Sequence, residues 1–140
     1  MASTSNVMPR LAIKRAFMDI IADDLGMSLN VEQTKVGFET EVQCWITSME
    51  ESFSRIRGGN ALAFDLNITF QIFSTINETG VHKGIADLIK IESTNERLKA
   101  TGIQITDISP VTSSTVWGDE STDGGVIGVL TLNVKYLARF

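Results

Sequence analysis

Leu62-Ala-Phe-Asp-Leu-Asn-Ile-Thr-Phe-Gln-Ile-Phe-Ser74 is the stretch that decides the fold. Leu62, Phe64, Leu66, Ile68, Phe70 and Ile72 occupy every second position, with Ala63, Asp65, Asn67, Thr69 and Gln71 between them. Such sustained alternation predicts a strand with one apolar and one polar face. At about 3.3 Å per residue it reaches roughly 40 Å, well beyond the usual length of about six residues. A strand that long projects past its own core, as in a building block.

Downstream, Thr75–Gly80 is a polar turn, and Val81, Ile85, Leu88, Ile91 and Leu98 follow a helical period to about Ala100, with Gly102 as the stop. Ile103 and Ile105 begin a strand that Pro110 interrupts, and Val111–Trp117 resumes it. Gly118-Asp-Glu-Ser-Thr-Asp-Gly-Gly125 is a turn by composition. A last long strand alternates Val126, Gly128, Leu130, Leu132, Val134 and Tyr136 with Ile127, Val129, Thr131, Asn133, Lys135 and Leu137.

Upstream, residues 1–8 are read as flexible. An amphipathic helix runs from Pro9 to Leu25 on Ile13, Phe17, Ile20, Ile21 and Leu25, and Gly26 ends it. Val31–Thr47 alternates as one or two strands, Val42, Cys44 and Ile46 forming the apolar side. Residues 48–60, with four charges and two glycines, read as an exposed excursion between strands. Met49, Phe53 and Ile56 line one side of a helical turn there, or serve a partner surface. The whole predicts one α+β domain over residues 1–140: an antiparallel sheet with two helices packed on one face, long strands and an extended loop or hairpin. The opposite face shows Asp65, Asn67, Thr69, Gln71, Asn133 and Lys135.

A length of 140 residues, 43% hydrophobic and 21% charged, excludes a disordered chain. No run approaches the ~18 apolar residues of a membrane span, and the N-terminal residues lack the pattern of a secretion signal. The net charge is −5, from 12 basic and 17 acidic residues, which disfavours binding DNA along a basic face. One cysteine, Cys44, and one histidine, His82, exclude an internal disulfide and most zinc chemistry. His82 with Asp87 or Cys44 is the one start of a catalytic set, but a histidine at a helix start is plainly read as a surface residue, and Cys44 as a small buried hydrophobe. Asp119, Glu120 and Asp123 lack the spacing of a calcium loop, and neither glycine pair is followed by the residues of a phosphate loop. Arg55-Ile-Arg-Gly-Gly59 is a single arginine-glycine copy in an acidic chain, so a charged loop. No catalytic, metal or cofactor site is expected, and the protein is not read as an enzyme. The candidates are interface residues: Trp45, Met49, Phe53, Arg55, Arg57, Trp117, Asp119 and Glu120. At least one tryptophan is expected to be buried only on assembly.

Phe64-Asp-Leu-Asn-Ile-Thr-Phe-Gln-Ile-Phe73, Val81-His-Lys-Gly-Ile-Ala-Asp-Leu-Ile89, Gly102-Ile-Gln-Ile-Thr106, the acidic glycine-rich tip and Gly128-Val-Leu-Thr-Leu-Asn-Val-Lys-Tyr136 follow an N-terminal helix in an order similar to tail-terminator (tail-completion) proteins of long-tailed bacteriophages. The likeness covers most of the chain and is one of pattern, without an invariant motif. It implies a virion structural protein forming a ring, generally hexameric, that caps the tail tube, ends tail polymerisation and joins tail to head. The implied partners are other copies of the chain, the tail tube protein, the sheath where the tail has one, and a neck or connector protein. Genomic DNA passes through unbound, and no membrane is involved. The implied location is the tail–neck region of the virion, with the host cytoplasm during assembly. Residues 48–60 do not align with the family. A head–tail connector shares the same ring logic, and a free-standing ligand-binding or regulatory domain that dimerises through its sheet is a rival of another class.

Overall fold

The computed structural model describes residues 8–29, 42–56, 61–74, 78–117 and 125–139. The order is α1 (Pro9–Asp19), a π-helical turn (Ile20–Asp24), β1 (Ser28–Leu29), β2 (Gln43–Arg55), β3 (Ala61–Ser74), α2 (Glu78–Ile89), α3 (Glu96–Lys99), β4 (Gln104–Trp117) and β5 (Val126–Arg139). The sheet runs β1-β2-β3-β5-β4. Its four long strands are antiparallel, and β1 joins β2 in parallel through Ser28 and Leu29. The fold is thus α+β but mostly β.

The deciding stretch forms β3 as read, paired with β5 without a break from Ala61–Arg139 to Ser74–Val126. Phe64, Leu66, Ile68, Phe70 and Ile72 are buried, in one cluster with Leu130, Leu132, Val134 and Tyr136 of β5. Ile13, Phe17, Ile20 and Ile21 of the N-terminal helix and Val81, Ile85 and Leu88 of α2 belong to the same cluster. The Phe17 and Phe70 rings meet edge to face with centroids 5.4 Å apart. Gly128 is the point of close approach: a Cβ there would lie 2.7 Å from Ile85 Cδ1 and 3.1 Å from Val81 Cγ1, so its absence lets α2 settle on β5. Met8 caps the chain's first helix and packs partly buried against the core, so the flexible reading does not extend to it. Residues 1–7 lie outside the described residues. The first helix ends near the expected stop, its last turn widening to the π form before Gly26 at φ +72°.

Three elements differ from expectation. The excursion at residues 48–60 is largely strand: β2 continues to Arg55, in register from Ser48–Thr69 to Arg55–Leu62. A bulge between Ile46 and Ser48 moves the core-facing positions from even to odd numbers, so Met49, Glu51 and Phe53 continue the side begun by Cys44 and Ile46. A spacing of four satisfies a strand and a helix equally, which is why Met49 and Phe53 resembled a helical turn. Residues 57–60 and the expected turn at 118–124 lie outside the described residues, as does most of Val31–Thr47 ahead of β2.

The helix expected from Val81 to Ala100 breaks after Ile89. Asn95 starts α3 instead, its side chain accepting from the backbone N–H groups of Arg97 (2.9 Å) and Leu98 (3.3 Å). Ser93, Thr94 and Asn95 favour such local bonds over a helix interior. Gly102, at φ +77°, is the stop that the sequence predicts. Conversely, β4 passes through Pro110 as one strand. It is an edge strand, and bulges at Ile105/Asp107 and Pro110/Thr112 accommodate the missing N–H.

Candidate assembly surfaces

The strands outrun the helices. Fourteen residues of β3 span about 46 Å at the usual rise, against about 18 Å for the 12 residues of α2. At the far end of β2, Glu51 is the last core-side residue under the helical layer. Its side chain is 1% exposed, and Oε1 accepts from Arg10 Nη1 of α1 at 3.1 Å. The Tyr136 hydroxyl donates to the other carboxylate oxygen. Burial first, and this carboxylate second, push the Tyr136 hydroxyl far above the ordinary tyrosine range. The phenol therefore stays a neutral donor.

One rung beyond, Phe53 is 57% exposed. Its ring lies 5.3 Å from that of Phe64, which stacks on Tyr136 at 4.6 Å. These three rings form a ladder across β2, β3 and β5, buried at one end and bare at the other. A cleft of about 370 Å³ opens beside Phe53 and Tyr136, with Asp65 and Lys135 among its lining residues. Among the described residues no three metal-ligating side chains gather. No helix described is long and apolar enough to cross a membrane.

The second surface is β4. Trp117 is 58% exposed, Val116 57% and Val111 53%. Trp117 Nε1 donates to Glu78 Oε2 at 3.0 Å, and the same carboxylate stands 3.5 Å from His82 Nε2. His82 is half exposed at the start of α2, where the sequence places it, and meets Glu78 rather than Cys44 or Asp87; Asp87 pairs with Lys83 at 2.7 Å. Cys44 is buried, which pushes its thiol pKa up to about 12. It is the small hydrophobe expected.

The third surface is the sheet face opposite the core. Thr69 and Thr131 hydroxyls hydrogen-bond across it at 3.1 Å. Asn133 Nδ2 donates to Asp65 Oδ1 and to Asn67 Oδ1 (2.9 Å), and Lys135 Nζ donates to Asn133 Oδ1 at 2.9 Å. The Asn133 bond first, then Lys135, hold the Asp65 carboxyl below the usual range. The result is a pre-ordered polar lattice of amides and hydroxyls.

The sequence candidates therefore separate. Phe53 and Trp117 are exposed on different strands, and Arg55 is exposed at the end of β2. Met49 is partly buried against the core. Trp45 is 7% exposed and already covered within the chain, its Nε1 lacking a partner among the described residues. Arg57, Asp119 and Glu120 lie outside the described residues. Sequence reasoning missed Glu51 and its Arg10 partner, because an acidic residue in a charged tract carries no sign of burial.

No protein-family model matches the sequence, and no curated protein matches it. Its fold does have a counterpart among solved structures. A chain of the "Virion of native gene transfer agent (GTA) particle" superposes with a TM-score of 0.58 over 99% of this chain and 100% of that one, at 5% identity. At that identity the likeness is one of fold.

Proposed function

We propose that the protein is a structural component of a phage-like virion, a tail terminator that assembles with copies of itself into a ring, hexameric by resemblance. The ring caps the tail tube, ends its polymerisation and receives the neck. The observation that carries this reading is the overhang: β3 is more than twice as long as α2 packed on its sheet, with Phe53 and Trp117 left bare at separate places. A ring requires two different surfaces on each subunit, and these residues supply them. The full-length fold likeness to a chain of a gene transfer agent virion supports the virion part of this reading. The acidic balance of −5 suits a passage that does not hold DNA.

Purified protein is tested by light scattering with mass determination and by negative-stain microscopy after mixing with uncapped tail tubes. Closed rings, free in solution or seated on one tube end, are expected. A chain that stays monomeric at high concentration and leaves tube ends bare overturns the assignment.

A further inference from the structure

We propose that the uncovered end of the helix-bearing side docks an acidic segment of a partner protein. Carboxylates of that segment meet Arg10 and Arg55, and an apolar side chain between them rests on Leu62 and Ala138. Every residue of this site belongs to one subunit, so the inference goes beyond the ring reading and does not depend on it. Past the bulge, the helix-bearing side of β2 reads Met49, Glu51, Phe53, Arg55. Same-side positions on a strand lie about 7 Å apart. Met49 is partly buried and the Glu51 side chain is 1% exposed, whereas Phe53 and Arg55 are exposed. The register sets Leu62 beside Arg55 and Ala138 beside Leu62, so these two partly buried residues floor the exposed end. Phe53 borders it, and the cleft beside Phe53 gives a protruding side chain room to enter.

The charge of this end has one sign. Among the described residues Glu51 is the one acid on that side of β2, and it is buried and held by Arg10. Arg10 spends Nη1 on that bond and its side chain stays 43% exposed. A guanidinium carries five N–H donors in a planar fork, so the buried pair fixes the cation while most of its donors are left for a second acceptor. On α1, Lys14 stands one turn after Arg10 on the same helix side, Arg15 follows, and no acid precedes Asp19. That order opposes the helix dipole, which favours acids in the first turn and bases in the last. Helix stability therefore does not account for Lys14 and Arg15, whereas an anionic partner does. In a chain of net charge −5 the departure is local.

An acidic protein segment fits this end better than a nucleic acid does. Single strands are held on a row of aromatic platforms, one for each successive base. Here Phe53 alone is bare, with Phe64 and Tyr136 buried behind it, and Asp65 lines the same cleft. An apolar anchor flanked by two carboxylates uses both the floor and the two cations, through charge-assisted hydrogen bonds to planar guanidiniums.

The probe is a fluorescein-labelled peptide of alternating glutamates and leucines, titrated with the full chain at about 0.1 M salt and read by anisotropy. Saturable binding is expected, and Arg55→Glu is expected to weaken it roughly tenfold or more. Lys83→Glu makes the same charge change on exposed α2, at the Trp117 end, and is expected to stay within about twofold of wild type. Arg10 is left in place, because its loss would strand the buried Glu51 carboxylate. Circular dichroism verifies that both variants are folded. A peptide with serine in place of leucine is expected to bind far more weakly, since it lacks the anchor. No binding by wild type, unchanged binding by Arg55→Glu, equal loss in both variants, or equal binding of the serine peptide overturns the site. Displacement of the peptide by oligo-dT at matched charge makes the surface a general polyanion binder and equally overturns it. Light scattering of the same samples reports assembly separately. A smaller mass for Arg55→Glu than for wild type gives Arg55 to a contact between copies and overturns the site. Peptide binding by a wild type that neither assembles nor caps tubes keeps the site and removes the ring reading.

Discussion

Phe53 and Phe70 are the same residue type on the same side of the sheet, and the difference between them separates assembly from folding. Phe70 is fully buried and touches Phe17, whereas Phe53 is 57% exposed and sets its ring against that of Phe64. Phe70→Ala is expected to cost about 3–5 kcal/mol of stability, as buried aromatic truncations do. Phe53→Ala is expected to cost about 1 kcal/mol or less, the scale of one aromatic pair, while abolishing ring formation or tube capping. Urea unfolding beside light scattering checks both, and a Phe53 variant as unstable as the Phe70 variant returns this position to the core. The alternation made Phe64 to Ile72 readable as core without a structure. Glu51 was not readable, because its burial depends on Arg10 and Tyr136, 41 and 85 residues away in the chain. No local pattern encodes a partner at that distance.

At the scale of elements, periodicity carried β3, β5 and the first helix, and it failed where the chain changes phase or competes with itself. The bulge at Ile46/Ser48 shifts the buried side from even to odd positions, so β2 reads as a strand followed by noise. Asn95 turns one expected helix into two by offering its own side chain to the backbone. The seat of α2 has a sharper signature, since a glycine in the middle of an otherwise apolar strand marks a close approach. Gly128→Val is therefore expected to destabilise by about 1–3 kcal/mol, because the added methyls must displace Ile85 and Val81. Thermal unfolding checks this. A variant as stable as wild type would mean that α2 has room to rise off β5.

For the whole molecule, composition supplies a net charge of −5 but not where the charge sits. The described face opposite the core carries Glu50, Asp65 and Asp107 against Lys135, among neutral amides and hydroxyls. Asn133 first, and then Lys135, hold the Asp65 carboxyl below the usual range, which favours its ionised form. In the proposed ring, with the sheets turned inward and the helices outside, this face lines the passage, and duplex DNA, with about one charge per 1.7 Å, meets more acidic than basic groups, its Lys135 being tied to Asn133 and Asp65. Wild-type rings are accordingly expected not to retard duplex DNA at about 0.1 M salt, where a few phosphate contacts would still hold it. Reversing Glu50 and Asp107 to lysine is expected to create retention that fades steeply as salt rises. The same reversal at Glu92 and Glu96, exposed on the helical side, adds equal charge and is expected to retain far less. Equal retention by the two variants would place the polar face outside the passage, because charge alone, rather than its position on the sheet, would then govern contact with DNA.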